Sequence, residues 1–357
     1  MMRITPALLC VFCLHILPID VEAQQPVYYK ADNPNIHYVG RTDFADPAKP
    51  RYWSPGVYVQ ARFSGTSVAI NINDEELYGK NHNYIEVALD NRAPVRLQTK
   101  GKTNHIVVAD DLPEGIHTIT ICKNTETSIG YLEFAGLTCA KLLPWVYTAP
   151  HKIEFIGNSI TCGAGSDPSA VPCGTGVWQD QHNAYMSYGP ATARLLNSEW
   201  QLTAYSGIGL IHSCCGIKFT MPDIFDRVNL LQDSLKWDFK KYQPDVVTVC
   251  LGQNDGIQDS VAFCSAYVKF IKTLRKYYPG ADVVCLSSPM GDEKLTSVLK
   301  NYITGVESFM RQNGDTKIHH YFFSRRYTGG CDTHPNIAEH KLIANELAAY
   351  IKKLKGW

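Results

Sequence analysis

Short runs of β-branched and aromatic residues alternate with polar turn residues in the first part of the chain. Asn91, Pro113 and Gly115 are among the residues that separate these runs. Short strands at this spacing, without long helical stretches, predict an all-β unit of the β-sandwich or jelly-roll type over residues 24–148. The predicted strands are 57–63, 67–72, 84–89, 95–97, 103–108, 117–122 and 129–137.

Beyond Pro150 the pattern changes to apolar strand-like runs that alternate with helical segments. This alternation predicts an α/β/α unit over residues 149–357, with a parallel sheet and helices on both faces. The segment 141–150, which contains Pro144 and Pro150, is predicted to be the linker. Helices are predicted over 260–277 and from Asn336 onward, where Glu339 completes a capping box. The five predicted strands are 153–156, 201–205, 245–251, 282–287 and 318–323.

The first residues have the features of a secretory signal peptide. Arg3 precedes an apolar run over 7–17, and Val21 and Ala23 are the small residues expected before a cleavage site. The apolar run is too short to span a bilayer. We therefore expect residues 1–23 to be removed and the mature protein to be secreted or periplasmic.

Charge argues against some classes of partner. Lysine plus arginine equals aspartate plus glutamate, so the formal net charge is zero, and no basic run is interleaved with aromatic residues. Nucleic acid and anionic membrane surfaces are therefore poor candidates as partners. No feature of the sequence indicates an obligate protein partner.

Export also changes the interpretation of the cysteines, because the compartment outside the cytoplasm is generally oxidising. Ten of the twelve cysteines follow the predicted signal peptide. Cys122 and Cys139 lie near the ends of successive predicted strands and are candidates to pair, although spacing does not determine connectivity. No cysteine or histidine spacing indicates a zinc site; Cys214 and Cys215, as neighbours in a strand, would point to opposite faces. Cys162, Cys173 and Cys331 lie close in sequence to the candidate site residues described next.

Residues whose side chains or main-chain N–H groups can take part in catalysis follow four of the five predicted strands of the α/β unit. Ser159 follows the first, Gly207 the second, Asn254 the third and His334 the fifth. Ligands of open parallel sheets bind beyond the carboxyl ends of the strands, where these residues are expected to meet. A nucleophile, a base and donors for an oxyanion are the groups that acyl transfer through serine requires.

Each residue has an expected role in that chemistry. Ser159 is the candidate nucleophile and His334 its base, while the N–H groups of Ser159 and Gly207 and the amide of Asn254 are the candidate oxyanion hole. Pro335 favours an extended His334, and residues two apart in an extended segment share a face, so the Asp332 carboxylate is expected to orient the imidazole. A main-chain carbonyl in that role is the alternative.

Structural roles compete with these functional ones. Ser159 could only cap a helix, His334 could be an ordinary surface histidine, and Asn254 could only brace a turn. Trp178 lies in a long irregular segment of the kind that often lines a site, where its indole could stack on a sugar ring. Core packing is the commoner role of tryptophan.

Four sequence blocks resemble, in order, the signature blocks of the SGNH (GDSL-type) esterase superfamily. They are GNSITCGAG at 157–165, YSGIG at 205–209, GQND at 252–255 and DTHP at 332–335. The preceding β-unit, IEFIGNSIT and the D-x-H-P spacing are more narrowly similar to carbohydrate esterase family 2. This resemblance implies a jelly-roll domain followed by a flavodoxin-like hydrolase domain that removes O-acetyl groups from plant polysaccharides or oligosaccharides without a metal or cofactor.

Two residues depart from the superfamily pattern. Asn158 stands where the superfamily has aspartate, and we expect it to support the turn. Asp332 precedes the histidine by two residues instead of three, which leaves the orienting group open.

Two other functions stay open at this point. One is a lipase, thioesterase or arylesterase activity on the same scaffold, for which the sequence offers no long apolar lid. The other is carbohydrate binding by a protein whose hydrolase domain is inactive, against which the presence of Ser159, Asn254 and His334 argues.

Overall fold

The computed structural model describes residues 25–357. The predicted signal peptide, residues 1–23, lies outside the described part of the chain. Nine strands, paired antiparallel throughout, form the sheet of the N-terminal part. They are β1 Val27–Lys30, β2 Ile36–Val39, β3 Arg51–Tyr52, β4 Tyr58–Asp74, β5 Tyr84–Leu89, β6 Val95–Gln98, β7 Thr103–Ala109, β8 Ile116–Lys123 and β9 Leu132–Leu143.

The long strand β4 organises this sheet, because it pairs with β2, β7, β8 and β9. Its two halves were predicted as separate strands. They are continuous because Gly65, with a φ of +111°, lies where the register shifts between Ser64 and Val68, so the chain bulges there instead of turning. Apolar residues alternate along β4 and β8 and form a core with Phe63 and Ile121.

The strand β9 corrects two predicted boundaries. It begins at Leu132 and not at Ile129, because residues Thr127–Ile129 form a 3-10 turn. It also continues to Leu143, so the first residues of the predicted linker belong to a strand. We propose the domain boundary between Leu143 and the next strand, which begins at His151.

The predicted pairing of Cys122 and Cys139 is wrong, since both thiols are free and buried. Cys122 lies in β8 opposite Tyr58, and Cys139 lies in β9 opposite Val68. The strand β4 runs between β8 and β9, and its residues 58 and 68 are roughly 30 Å apart along it. The two sulfur atoms therefore cannot meet.

A five-stranded parallel sheet forms the second part of the chain, as the sequence predicted. Within the described residues, none of its helices has the length and apolar character needed to cross a membrane. The strands are β10 His151–Gly157, β11 Ser198–Ala204, β12 Val246–Cys250, β13 Asp282–Leu286 and β14 Ile318–Tyr321. The helices are α1 Ser159–Cys162, α2 Tyr188–Leu195, α3 Met221–Ile224, α4 Ser260–Tyr277, α5 Glu293–Gln312 and α6 Ile337–Lys355.

The order of the parallel strands, β11-β10-β12-β13-β14, fixes where a site can form. The first strand of this unit, β10, is interior and has β11 on one side and β12 on the other. From β10 the chain crosses first to β11 on one side and then to β12 on the other, so the strand order reverses at this point. The carboxyl ends of β10 and β12 therefore border a crevice. The order of an all-β unit followed by an α/β unit is confirmed.

Buried polar contacts join the two units. The guanidinium of Arg41 lies 3.1 Å from the carboxylate of Glu154, and both side chains are fully buried. The indole N–H of Trp200 in β11 donates to the carbonyl of Gly56 at 2.9 Å. Arg96 of β6 donates to the main-chain carbonyl of His182 at 2.8 Å, which fastens the long loop after α1 to the β-unit.

Candidate active site

The serine turn follows directly from the end of β10. Its close packing needs a glycine at 157, because a Cβ there would lie 2.0 Å from the hydroxyl oxygen of Thr161. Asn158 caps α1 by accepting the N–H of Ile160 at 3.1 Å, so the predicted supporting role of Asn158 is confirmed. Ser159 is the first residue of the helix and not its cap. Its hydroxyl is therefore not needed for capping and faces the crevice.

His334 contacts the serine directly. Its Nε2 lies 2.8 Å from the Oγ of Ser159. On the other side of the ring, Nδ1 lies 3.2 Å from the carbonyl oxygen of Cys331 and 3.1 Å from that of Asp332. Carbonyl oxygens only accept, so Nδ1 carries the proton and Nε2 is left free to accept from the serine hydroxyl.

The expected contact between the Asp332 carboxylate and His334 does not occur. The segment before the histidine is a tight 3-10 turn, in which Asp332 and Thr333 have φ values of 49° and 59°. The extended conformation on which the prediction relied is therefore absent at Asp332, and the carboxylate is exposed. The main-chain carbonyl of Asp332, which was the alternative, contacts the ring instead.

A disulfide fixes this turn to the long loop after α1. Cys331 is bonded to Cys173, 158 residues earlier in the chain. The N–H of Cys331 also donates to the carbonyl of Gly165 at 2.8 Å, and the N–H of Gly330 donates to the carbonyl of His334 at 2.7 Å. The histidine is thus held by several main-chain bonds and one covalent link.

Burial lowers the pKa of His334 below the ordinary histidine value, and the two carbonyl hydrogen bonds and the charge of Asp332 act in the opposite direction. His334 as a residue is only 9% exposed, which accounts for the sign of the shift. A lowered pKa leaves the imidazole neutral near pH 7. Neutral imidazole is the form that can take a proton from a hydroxyl.

Gly207 lies in the loop after β11 with a φ of +81°. A Cβ at this position would lie 2.8 Å from Ile217 and 3.1 Å from the sulfur of Cys214. A side chain is therefore excluded on steric and conformational grounds, which leaves the main chain accessible on the crevice side.

Asn254 is attached to the same loop. Its Nδ2 donates to the carbonyl of Ile208 at 2.9 Å, which uses one of the two N–H bonds of the amide. The neighbouring Asp255 accepts the N–H groups of Leu210 at 2.9 Å and Ile211 at 2.7 Å, so its carboxylate braces the loop. The second N–H bond of Asn254 is available to a ligand.

Trp178 lies at the start of a 3-10 helix, Trp178–Gln181, and remains 42% exposed. Its ring meets that of His334 edge to face, with centroids 6.2 Å apart. The indole is therefore beside the His334 ring and accessible, which favours stacking on a ligand over core packing.

These residues line one pocket of about 360 Å³. Besides the predicted residues Ser159, Gly207, Asn254, Trp178 and His334, its wall includes several that the sequence analysis missed. These are Glu126, Ser128, Tyr205, Ser206, Cys214, Cys215, Gln253 and Met290.

Two of these unforeseen groups have no local sequence signal. Glu126 comes from the β-unit, far from every signature block, and only the three-dimensional contact of the two units brings it here. Cys214 and Cys215 form a disulfide. Their expected orientation toward opposite faces is wrong because the segment is a loop, in which Cys215 has a φ of 61°.

Two family models match the chain. The model "Carbohydrate esterase 2 N-terminal" matches residues 38–145, and the model "GDSL-like Lipase/Acylhydrolase family" matches residues 155–342. Together they cover the β-unit and most of the α/β unit.

Similar proteins include esterases from several bacteria. The cellulase/esterase CelE of Acetivibrio thermocellus is 35% identical over 336 residues, which are 91% of this chain and 40% of that protein. An acetylxylan esterase/glucomannan deacetylase of Cellvibrio japonicus is 27% identical over 338 residues, 92% of this chain and 91% of that protein. The chain thus spans less than half the length of the first relative and nearly all of the second.

The fold is similar to solved structures. A family two carbohydrate esterase from Clostridium thermocellum, in complex with cellohexaose, is 33% identical with a TM-score of 0.82. The match covers 90% of this chain and 99% of that one.

Proposed function

Because the chain belongs to carbohydrate esterase family 2 and is thus a carboxylic ester hydrolase, we propose that it removes O-acetyl groups from carbohydrates through a serine-bound acetyl intermediate. The single observation that carries this proposal is the 2.8 Å contact between the Oγ of Ser159 and the Nε2 of His334 inside an open pocket. A hydroxyl and a neutral imidazole in this geometry are the nucleophile and base of acyl transfer.

In the first step, His334 takes the proton of the Ser159 hydroxyl as its oxygen attacks the acetyl carbon. The carbonyl oxygen becomes an oxyanion, and the N–H groups of Ser159 and Gly207 and the amide of Asn254 are the donors we assign to it. Loss of one such donor costs roughly 3–4 kcal/mol in the transition state. The tetrahedral species collapses when His334 gives its proton to the sugar oxygen, which leaves as an alcohol.

In the second step, water replaces the sugar. His334 takes a proton from the water as the oxygen attacks the acetyl carbon, and then returns a proton to Ser159 as acetate is released. The protein is regenerated, and the net reaction converts one ester and one water into one alcohol and one acetic acid.

The protonated imidazole is stabilised without a hydrogen bond to a carboxylate. The carbonyls of Cys331 and Asp332 both accept from Nδ1, so two dipoles are directed at the positive ring. We therefore assign a Ser159–His334 dyad oriented by the main chain. The exposed Asp332 carboxylate adds only a screened charge.

The carbohydrate part of the proposal rests on the pocket and on the relatives. Trp178 presents an exposed indole beside His334, and the flat apolar face of an indole matches the C–H face of a pyranose. The Cellvibrio relative is named as an acetylxylan esterase and glucomannan deacetylase, and the Clostridium structure contains cellohexaose. Acetylated xylan and glucomannan are therefore the substrates to test first.

We also propose that the protein is exported, because its first residues have the pattern of a cleaved signal peptide. Mapping the N-terminus of secreted or periplasmic material should find the chain beginning at Gln24. An N-terminus at Met1 in such material would refute export by this route.

Active-site labelling tests the nucleophile assignment. A fluorophosphonate should form an adduct at Ser159, located by mass spectrometry of peptides. His334→Ala should slow labelling strongly, because the serine loses its base. An adduct at another serine, or no adduct on the folded protein, would refute the assignment.

A further inference from the structure

Glu126 is a buried carboxylate that reaches the pocket from the β-unit. It precedes the 3-10 turn Thr127–Ile129, in the connection between β8 and β9. Its residue is 1% exposed, yet it contributes to the pocket wall. A buried carboxylate is costly unless hydrogen bonds compensate it, so its partners indicate what it is for.

One carboxylate oxygen contacts the loop that carries Gly207. Oε2 accepts the main-chain N–H of Ser206 at 2.8 Å. Ser206 directly precedes Gly207, whose N–H we assign to the oxyanion. Glu126 therefore fixes the peptide unit next to the one that carries the Gly207 N–H. Hydrogen bonds to a charged acceptor are roughly twice as strong as neutral ones.

The other oxygen contacts the stacking residue. Oε1 accepts the indole N–H of Trp178 at 3.3 Å. It also lies 3.7 Å from Nδ1 of the fully buried His182. The ring of His182 packs against Trp178, with centroids 4.7 Å apart. Burial lowers the pKa of His182 to about 3, and the nearby His334 adds to this shift. The ring is therefore neutral and forms no ion pair with Glu126, whose carboxylate accepts from Ser206 and Trp178.

The segment around Glu126 is held rigidly. The Lys123 ammonium donates to the main-chain carbonyls of Thr125 at 2.7 Å and Glu126 at 3.3 Å. Lys123 is fully buried, and burial lowers its pKa to about 7 although the charge of Glu126 favours the protonated form. The carboxylate is therefore presented to the pocket from a fixed main chain.

We propose that Glu126 is a positioning residue of the esterase, which sets the Gly207 N–H through Ser206 and orients the Trp178 indole. The β-unit then contributes to catalysis as well as to the fold. This inference rests on the proposed esterase function, and the experiment below distinguishes failure of one from failure of the other.

Two substrates distinguish the effect of the contact of Glu126 with Ser206 from the effect of its contact with Trp178. A small aryl acetate needs the oxyanion donors but makes no use of a sugar platform, whereas an acetylated xylo-oligosaccharide needs both. Glu126→Ala should lower kcat for both substrates by roughly tenfold to a hundredfold, since a misplacement of about 1 Å can cost about a hundredfold. The same variant should raise KM for the oligosaccharide only.

Two control variants isolate these effects. Trp178→Ala should raise KM for the oligosaccharide by a larger factor than it lowers kcat for the aryl acetate. Glu86→Gln alters another buried carboxylate between the units, which accepts from Asn124 at 2.9 Å and Asn183 at 3.1 Å but makes no hydrogen bond to Ser206, Trp178 or His334. Its kinetics should stay within about threefold of the wild type, because no group near the reacting atoms moves.

A boronic acid gives a readout that a merely structural role would not change. Phenylboronic acid forms a tetrahedral adduct on a serine hydroxyl, with an oxygen in the oxyanion position. Glu126→Ala should weaken its inhibition in parallel with the fall in kcat, at an unchanged circular dichroism spectrum. If Glu126→Ala does not fold, Glu126→Gln provides the test. The single amide oxygen of glutamine cannot accept from both the Ser206 N–H and the Trp178 indole N–H.

Wild-type kcat, KM and boronate affinity in a folded Glu126→Ala or Glu126→Gln variant would overturn the inference. An equal loss in Glu86→Gln would overturn it too, because the effect would then belong to any buried carboxylate between the units. Ser159→Ala, measured in parallel, tests the proposed function itself. Retained hydrolysis in that variant would refute the esterase mechanism whatever Glu126 does.

Discussion

Replacement of Asp332 by asparagine tests how His334, the proposed base, is oriented. The ring of His334 is held by the main-chain carbonyls of Cys331 and Asp332 at 3.2 and 3.1 Å, and the carboxylate of Asp332 makes no hydrogen bond to it. Asparagine removes the charge, keeps the main-chain carbonyl and tolerates the left-handed φ of 49° at this position better than other uncharged residues apart from glycine. The change therefore removes only the electrostatic contribution.

The expected loss is small. An exposed charge pair contributes about 0–1 kcal/mol, which corresponds to at most roughly a fivefold change in kcat. In a serine hydrolase whose histidine depends on a carboxylate, the same substitution lowers kcat roughly 10⁴-fold. The two alternatives thus differ by about three orders of magnitude, well beyond experimental error.

The assay is steady-state hydrolysis of a small aryl acetate by the wild type, Asp332→Asn and His334→Ala. We expect Asp332→Asn to retain at least a fifth of the wild-type kcat, and His334→Ala to lose nearly all of it. A loss of a thousandfold or more in Asp332→Asn, with an unchanged melting temperature, would refute orientation by the main chain. It would show that the carboxylate contacts the ring during turnover.

Three further predictions concern the same site. Acid should inactivate the enzyme through an apparent pKa below 6.5, because burial lowers the pKa of His334 and only the neutral ring accepts a proton; an acidic limb of kcat/KM centred above pH 6.5 would contradict this. Cys173→Ser should lower the free energy of unfolding by about 2–4 kcal/mol and also lower kcat, because the disulfide to Cys331 holds the turn before His334; thermal unfolding and turnover that both match the wild type would argue against it. Asn254→Ala should lower kcat about 100- to 1,000-fold at little change in KM, and a loss below tenfold would mean that Asn254 only braces Ile208.

The predictable part of this protein is the part encoded by local patterns. The capping box of Asn336 and Glu339 forms as expected, and α4 has the predicted bounds Ser260–Tyr277. The site residues after the parallel strands also meet, because the carboxyl ends of such strands share one edge of a sheet whatever the intervening sequence is.

The sequence-based predictions fail where an irregular local conformation or a contact distant in sequence determines the structure. Asp332 was expected in an extended segment, but it lies in a 3-10 turn in which its φ is 49°. Cys122 and Cys139 were expected to pair because their strands are successive in the chain, whereas β4 separates them in the sheet. Glu126 reaches the pocket only through the contact of the two units, which no local pattern encodes.

The central claim is that Ser159 carries out the release of acetate from carbohydrate esters. The most direct measurement is acetate released from acetylated xylan, acetylated glucomannan and a small aryl acetate by the wild type and by Ser159→Ala. We expect release by the wild type from at least one polysaccharide and from the aryl acetate, and none above background by the variant. Release that persists in a folded Ser159→Ala protein, or a wild type that binds these polysaccharides but releases no acetate from any substrate, would contradict the account.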